Sequence, residues 1–92
     1  MIESIKHRGL KRFYERDNRS GLDVRMLPRI EEILAVLEAA ETLEEANIPG
    51  FRLHSLSGNW RGFWSVRVTG NWRIIFRFED GKAMDIDLVD YH

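Results

Sequence analysis

Residues 64–90 read WSVRVTGNWRIIFRFEDGKAMDIDLVD and contain the main structural signal of this sequence. Large apolar side chains recur at every second position, which is the period of a β-strand with one buried face. Two polar groups interrupt this alternation, Thr69-Gly70-Asn71 and Glu79-Asp80-Gly81, and both are typical of hairpin loops. The stretch therefore predicts three successive antiparallel strands.

The register of the strands follows if the apolar side chains are required to share one face. Three-residue loops, with Gly81 in the left-handed conformation, meet this requirement. The predicted cross-strand partners are Val68 with Trp72, Val66 with Ile74, Trp64 with Phe76, Phe76 with Met84, Ile74 with Ile86, and Trp72 with Leu88. The opposite face would be open to a ligand and would bear Ser65, Arg67, Arg73, Ile75, Asp85 and Asp87, with Arg73 directly across from Asp87.

The residues upstream of the sheet predict a short strand over 2–5 and two helices, over 6–17 and 26–40. Pro28 suits the first turn of the second helix, and Thr42 with Glu45 is typical of a capping box. The helical apolar faces comprise Leu10, Phe13 and Tyr14 in the first helix, and Ile30, Ile33, Leu34 and Leu37 in the second. We predict an α+β fold, with two N-terminal helices packed on one face of a twisted, mainly antiparallel β-sheet, in one domain over 1–92.

The composition excludes several classes of protein and site. The 92 residues include no cysteine, so disulfides, thiolate metal sites and thiol nucleophiles are absent. We find neither a signal-peptide pattern nor an apolar run of membrane-span length, and therefore expect a cytoplasmic location without a membrane partner.

The net charge of −1 conceals a strong alternation of charge along the chain. Residues 1–29 carry eight basic and four acidic side chains, and residues 30–50 carry six acids and no base. Residues 51–77 carry five arginines and no acid, whereas 78–92 carry five acids and one lysine. Because a local field can be positive where the whole is not, the arginine-rich stretch predicts a phosphate-contacting surface.

Metal-free acid–base chemistry is the only chemistry that the residues support. Glycine-rich phosphate loops, nucleophile elbows and histidines at metal-ligand spacing are missing from the sequence, and we expect no cofactor. RNA can be cleaved when its own 2′-hydroxyl attacks the adjacent phosphate, a reaction that needs a base, an acid and a cation. The candidates are His54, the arginines and the terminal residues 89–92. The tryptophans of the arginine-rich stretch 51–77 are expected in the core.

Four segments in order resemble the HigB-type toxins, the plasmid-maintenance killer proteins of the RelE superfamily. They are IESIKHRGLKRFY at 2–14, IPGFRLHSLSG at 48–58, GNWRIIFRF at 70–78 and DYH at 90–92. The resemblance implies the RelE-like fold and ribosome-dependent endoribonuclease activity, which cleaves messenger RNA in the decoding site and inhibits translation. It also implies a HigA-like helix-turn-helix antitoxin as partner, with operator DNA bound only through the antitoxin complex.

The resemblance carries the active-site residues of that family onto five positions of this chain. His54 and His92 are the candidate proton acceptor and donor, in an order that the sequence leaves open. Asp90 would orient a histidine, Tyr91 would hold a base or a phosphate, and Arg73 would stabilise phosphate charge in the transition state. The expected RNA-binding residues are Arg52, Arg61, Arg67, Asn71 and Arg77.

Two departures from the family pattern place neutral residues where a cation is common, at Ser57 and Thr69. They predict lower toxicity or weaker ribosome affinity, and growth arrest by Ser57→Lys compared with the unaltered chain tests this.

Two alternatives to the nuclease stay open at this point. One is a catalytically weak module with the toxin fold that acts mainly with its antitoxin in operator binding and autoregulation, and the other is a non-toxic structural RNA-binding protein.

Overall fold

A computed structural model describes residues 1–91, with two helices followed by four strands. The elements are α1 (Arg8–Arg16), α2 (Leu27–Ala39), β1 (His54–Ser55), β2 (Trp64–Thr69), β3 (Trp72–Glu79) and β4 (Lys82–Asp90), with short 3-10 turns at Val24–Met26, Leu43–Ala46 and Gly58–Trp60. Within residues 1–91, no helix is both long enough and apolar enough to cross a membrane.

The residues that flank the helices account for where each helix begins and ends. The His7 side chain accepts a hydrogen bond from the backbone N–H of Leu10 (3.1 Å) and so caps the start of α1. Asp17 ends α1 in a left-handed conformation with φ 54°. Pro28 lies in the first turn of α2, as predicted. Both helices are slightly shorter than the predicted ranges 6–17 and 26–40.

The capping box predicted at Thr42 and Glu45 is confirmed, and it opens the 3-10 turn Leu43–Ala46. The carboxylate of Glu45 accepts hydrogen bonds from the backbone N–H groups of Glu41 (3.0 Å) and Thr42 (3.1 Å). These bonds favour the ionised carboxylate, so they lower the pKa of Glu45 from its ordinary value.

The sheet is antiparallel in the order β1-β2-β3-β4, with the N-terminal segment along the outer edge of β4. That segment forms isolated parallel bridges from Ile2 to Ala83 and from Ile5 to Ile86, rather than the continuous strand that we predicted over 2–5. The helices pack on one face, which confirms the predicted α+β architecture.

The register between β2 and β3 is confirmed for Trp64 with Phe76 and for Val66 with Ile74. At the loop the prediction is wrong, because Trp72 pairs with Thr69 rather than with Val68. A β-bulge between Arg67 and Thr69 absorbs one residue, so the loop is two residues long and the inner pairs are unchanged.

The predicted register between β3 and β4 is wrong over its whole length. Asp80 and Gly81 both have positive φ (52° and 74°) and form a two-residue turn, which confirms the left-handed Gly81 but pairs Glu79 with Lys82. A second bulge follows at Asp85, where φ is 53°. The observed partners include Arg77 with Met84, Ile75 with Asp87, Ile74 with Leu88, Arg73 with Val89 and Trp72 with Asp90.

Arg73 is consequently not across from Asp87, as predicted, but across from Val89. The two-residue turn shifts the pairing by one residue relative to the predicted three-residue loop, and the extra residue of the second bulge shifts it by one more, so Val89 lies across from Arg73.

The core lies between the helices and the face of the sheet that bears Val66, Ile74 and Phe76, each of which is fully buried. The apolar residues predicted for α2 are all buried, as are Leu10 and Phe13 of α1. Tyr14 is 40 % exposed, so its predicted place on the buried face is wrong. Its hydroxyl instead donates a hydrogen bond to the Glu38 carboxylate, which raises the pKa of Tyr14.

Candidate functional site

The sheet face turned away from the helices is called here the open face. Cross-strand register assigns to it a first row of His54, Ser65, Ile75 and Asp87, and a second row of Arg67, Arg73 and Val89. Ser65 and Ile75 are each only 1 % exposed, so neighbouring side chains cover the middle of the face. Charged and polar side chains therefore cover the centre of the open face, so less of its surface is accessible to a ligand than the sequence predicted.

Two arginines lie directly opposite each other on the open face. Arg67 of β2 and Arg73 of β3 are Cα partners, and both side chains are half-buried. One guanidinium nitrogen of Arg73, Nη1, donates to the backbone oxygens of Gly70 (2.8 Å) and Trp72 (3.2 Å). The Arg67 guanidinium makes no hydrogen bond or ion pair within residues 1–91. Because like charges directly opposite repel, this pair has the electrostatics of an anion site.

His54 lies in the row next to this pair, with its imidazole exposed and oriented. Its Nδ1 lies 3.1 Å from the backbone oxygen of Arg52, and because a carbonyl only accepts, Nδ1 is the donor in this hydrogen bond. A neutral His54 therefore carries its proton on Nδ1 and its lone pair on Nε2. This is the tautomer of a general base whose Nε2 is available to a substrate.

Arg52 orients His54 through its backbone rather than through its charge. Its φ of 54° lies in the left-handed region, which is uncommon for a residue other than glycine. Sequence reasoning selected Arg52 for its guanidinium and missed the role of its carbonyl. No signal in the sequence could have shown that role, because arginine has no preference for this conformation.

Tyr91, the last residue that the structure describes, is tied to the β2–β3 hairpin. The backbone N–H of Tyr91 donates to the backbone oxygen of Asn71 (2.8 Å), which continues the pairing past the end of β4. Tyr91 follows Val89 by two residues and so falls on the side of the open face, with 43 % of its surface exposed. Asp90 pairs with Trp72 and falls on the alternate face. His92 lies outside the described residues.

His54, Arg67, Arg73 and Tyr91 form a line across the open face, called here the diagonal. With ordinary sheet spacings the Cα steps along it are roughly 8, 5 and 8 Å, so its two ends lie roughly 20 Å apart. The register thus brings Tyr91 and Arg73 together and sets His54 next to Arg67, but it does not bring Tyr91 next to His54.

The other predicted RNA-binding residues are more dispersed. Arg77 of β3 contacts Glu79 (3.4 Å) and lies 4.0 Å from Asp85, so acids neutralise part of its charge. Arg61 is exposed in the loop between β1 and β2, after the 3-10 turn Gly58–Trp60. Arg52 is exposed next to His54.

The tryptophans divide between the core and the surface. Trp64 packs against the core, as predicted. Trp72 is 37 % exposed beside the hairpin loop, so its expected burial is wrong. Trp60 is 36 % exposed and makes an edge-to-face contact with Phe63, with the ring centroids 5.6 Å apart. Trp60 and Trp72 therefore present aromatic surface to solvent.

Comparison with known proteins identifies the family. The family model described as the RelE-like toxin of type II toxin-antitoxin system HigB matches residues 3–92. The chain is 39 % identical to Endoribonuclease HigB of Proteus vulgaris over 92 residues, covering 100 % of both chains. It is 36 % identical to Toxin HigB-1 of Vibrio cholerae serotype O1 over 91 residues, covering 92 % of each.

A solved structure shares the fold. The YoeB dimer from Staphylococcus aureus superposes with a TM-score of 0.62 at 20 % sequence identity, covering 99 % of this chain and 94 % of that one. At this identity the likeness concerns the fold alone, and it agrees with two helices on an antiparallel sheet. The family model and both relatives cover nearly the whole sequence, so this chain belongs to the HigB family of RelE-like toxins of type II toxin-antitoxin systems.

Proposed function

We propose that this toxin is an endoribonuclease that cleaves translated messenger RNA on the ribosome and so inhibits translation. The observation that carries the proposal is the diagonal, in which two facing arginines lie between an oriented imidazole and the tethered Tyr91. The printed name of the Proteus vulgaris relative, Endoribonuclease HigB, supports the same reaction.

The proposed reaction is attack of an RNA 2′-hydroxyl on the adjacent phosphate. His54 takes the 2′-hydroxyl proton on Nε2, because its Nδ1 proton is held by the Arg52 carbonyl. Arg67 and Arg73 hold the phosphate and stabilise the charge of the pentavalent transition state. His92 gives a proton to the leaving 5′ oxygen, with Asp90 orienting that histidine and Tyr91 holding it or the phosphate.

The length of the diagonal suits this division of roles. In-line displacement puts the attacking and leaving oxygens on opposite sides of the phosphorus. A phosphate centred over Arg67 and Arg73 has the Cα atoms of His54 and Tyr91 roughly 10 Å away on its two sides. On each side of the phosphate, one extended side chain and one hydrogen bond together span the distance from the Cα atom to the phosphate.

The remaining arginines of 51–77 extend the binding surface beyond the scissile phosphate. Arg52 and Arg61 are exposed and contact the backbone of messenger or ribosomal RNA, and Asn71 at the hairpin loop adds a neutral hydrogen-bonding group. Arg77 contributes less in the free toxin because Glu79 and Asp85 lie against it. The ribosome supplies the rest of the binding surface, which is why we propose that cleavage depends on it.

The toxin acts in the cytoplasm, where ribosomes translate, and we propose that a HigA-like helix-turn-helix antitoxin inhibits it. Operator DNA is bound only through the complex with that antitoxin. The family assignment to type II toxin-antitoxin systems supports a protein antitoxin as partner.

Cleavage of a defined messenger RNA by purified toxin tests the proposal, with free RNA compared with RNA on translating ribosomes. We expect cuts only on the ribosome, and loss of cutting in His92→Ala and Arg73→Ala. Arg16→Ala is the matched control, because it removes an equal charge from the end of α1. Cutting that survives both site changes would show the site assignment to be wrong, and equal cutting of free RNA would refute the dependence on ribosomes.

A further inference from the structure

One buried hydroxyl below the open face lacks a hydrogen-bond partner. Ser65 lies on β2 and is 1 % exposed, and its Oγ makes no hydrogen bond to any atom of residues 1–91. A hydroxyl buried without a partner costs about 1–3 kcal/mol of stability. Alanine or valine would fill the same strand position without this penalty, so the hydroxyl points to a bond that forms in another state of the protein.

Among the two cross-strand neighbours of Ser65, only His54 can supply that bond. Ser65 has His54 as its Cα partner on β1 and Ile75 as its Cα partner on β3. Ile75 has no polar side-chain atom. Directly opposite side chains have Cβ atoms about 5 Å apart, a gap that a hydroxyl and an imidazole bridge with one hydrogen bond.

The His54 ring has freedom to make this second contact. It is exposed, and its side chain is held by one hydrogen bond, from Nδ1 to the Arg52 carbonyl. A neutral imidazole has a single N–H group, which that bond occupies, whereas an imidazolium has two. Protonation of Nε2 therefore creates a new donor beside the unpartnered Oγ of Ser65.

We propose that Ser65 is a positioning residue whose Oγ accepts a hydrogen bond from the imidazolium of His54. The inference rests on the proposed function, in which the 2′-hydroxyl proton moves to Nε2 of His54. A small rotation of the ring, with Nδ1 still donating to the Arg52 carbonyl, then brings that N–H to Ser65, and no further atom or electron is transferred. The bond stabilises the protonated base until the proton is released to water.

The charged groups around His54 explain why such an acceptor is useful. Arg52 precedes His54 by two residues, Arg67 follows its Cα partner Ser65 by two residues, and Asp87 on β4 is the acid of the same row, three strands away. An imidazolium on the same face as these arginines experiences like-charge repulsion. A buried neutral acceptor offsets that effect without neutralising the arginines that hold the phosphate.

The test compares Ser65→Ala with Ser65→Thr, which restores a hydroxyl. The matched control is Ser55→Ala on β1, because Ser55 pairs with Trp64 and falls on the alternate face. We expect Ser65→Ala to cleave RNA about tenfold more slowly, the effect of losing one hydrogen bond of about 1.4 kcal/mol. In a plot of cleavage rate against pH, the low-pH limb of Ser65→Ala should move to lower pH, because the imidazolium has lost one stabilising hydrogen bond. Ser65→Thr should restore both the cleavage rate and the position of this limb.

Nuclear magnetic resonance of histidine-labelled toxin observes the contact without any cleavage. At low pH we expect two exchange-protected ring N–H protons of His54 in the unaltered protein, but only the Nδ1 proton in Ser65→Ala. Ser55→Ala should retain both. If Ser65→Ala also retains both protons, or cleaves with the rate and pH profile of the unaltered toxin, the inference is overturned.

The same experiments separate this inference from the proposed function. If the unaltered toxin does not cleave RNA at all, the proposed function fails, and the protected protons still decide whether Ser65 contacts His54. Denaturant unfolding guards against a folding defect, because Ser65→Ala removes an unpartnered hydroxyl and should unfold at the same or a higher denaturant concentration. If the role of Ser65 were purely structural, Ser65→Ala would instead lower the stability of the fold and leave the pH profile of cleavage unchanged.

Discussion

Replacing Arg67 with glutamine should stabilise the fold while impairing cleavage. Arg67 faces Arg73 across two adjacent strands, and within residues 1–91 its guanidinium has no hydrogen bond or ion pair. Cross-strand pairs contribute roughly 0.2–1 kcal/mol, and like charges are unfavourable. Arg67→Gln should therefore raise the free energy of unfolding by about 0.5 kcal/mol, which is about 2–4 °C in Tm for a chain of this size.

The same substitution removes one cation from the proposed transition-state contacts. Loss of one such group lowers kcat by roughly 10²–10³-fold in other enzymes, and we expect about 10² here. The slope of ribosome affinity against salt concentration should fall by roughly 1, because one phosphate contact is lost. The gain in Tm should shrink in about 1 M salt, which screens the repulsion between the arginines.

The measurements are thermal unfolding at low and high salt, and cleavage on translating ribosomes. Arg16→Gln is the matched control, because it changes net charge equally but removes a cation from the last turn of α1, where it interacts favourably with the helix end. That control should lower Tm slightly and keep cleavage. A fall in Tm for Arg67→Gln, or cleavage at the unaltered rate, would refute the reasoning about the facing arginines.

Three further predictions concern stability and are checked by denaturant or thermal unfolding. Gly9→Ala should cost about 1–3 kcal/mol, since its Cβ would lie 2.6 Å from the backbone oxygen of Gly21, and an unchanged midpoint would contradict this. Asp85→Gly should add about 0.5–1 kcal/mol by relieving the left-handed φ of 53°, and a lower midpoint would count against the bulge as a source of strain. Glu45→Gln should lower stability at neutral pH, because folding lowers the pKa of Glu45 and its ionised carboxylate therefore stabilises the fold. This stabilisation is fully present above the ordinary pKa of 4.5 and is lost as the pH falls through the lower pKa of the folded protein. The deficit should vanish below that window, and a deficit independent of pH would contradict the assignment.

The sequence predicted the parts of the fold that depend on local periodicity. Apolar residues at three- and four-residue spacing placed α2, and alternation at every second residue placed β2, β3 and β4 with their shared core face. Turn chemistry predicted the left-handed Gly81, and capping chemistry predicted the turn at Thr42 and Glu45. These signals are short-range, so neighbouring residues in the chain suffice to specify them.

The candidate site was predicted only in part. Family resemblance selected His54, Arg73 and Tyr91, and the structure puts all three on the diagonal, although cleavage by them stays a proposal. Arg67 was selected from the arginine-rich stretch, but its contact with Arg73 was not predicted, since the cross-strand contact given for Arg73 was Asp87.

Local sequence patterns specified both helices, strands β2 to β4 and most of their apolar positions, because helical and strand periodicity are properties of consecutive residues. Which side chains meet across the strands, in contrast, depends on contacts between residues that are distant in sequence. The two bulges, near Val68 and at Asp85, shift the pairing by one residue, and the left-handed Arg52 turns its carbonyl toward His54. Neither arginine nor aspartate specifies these backbone angles locally, so packing of the whole sheet against the helices selects them.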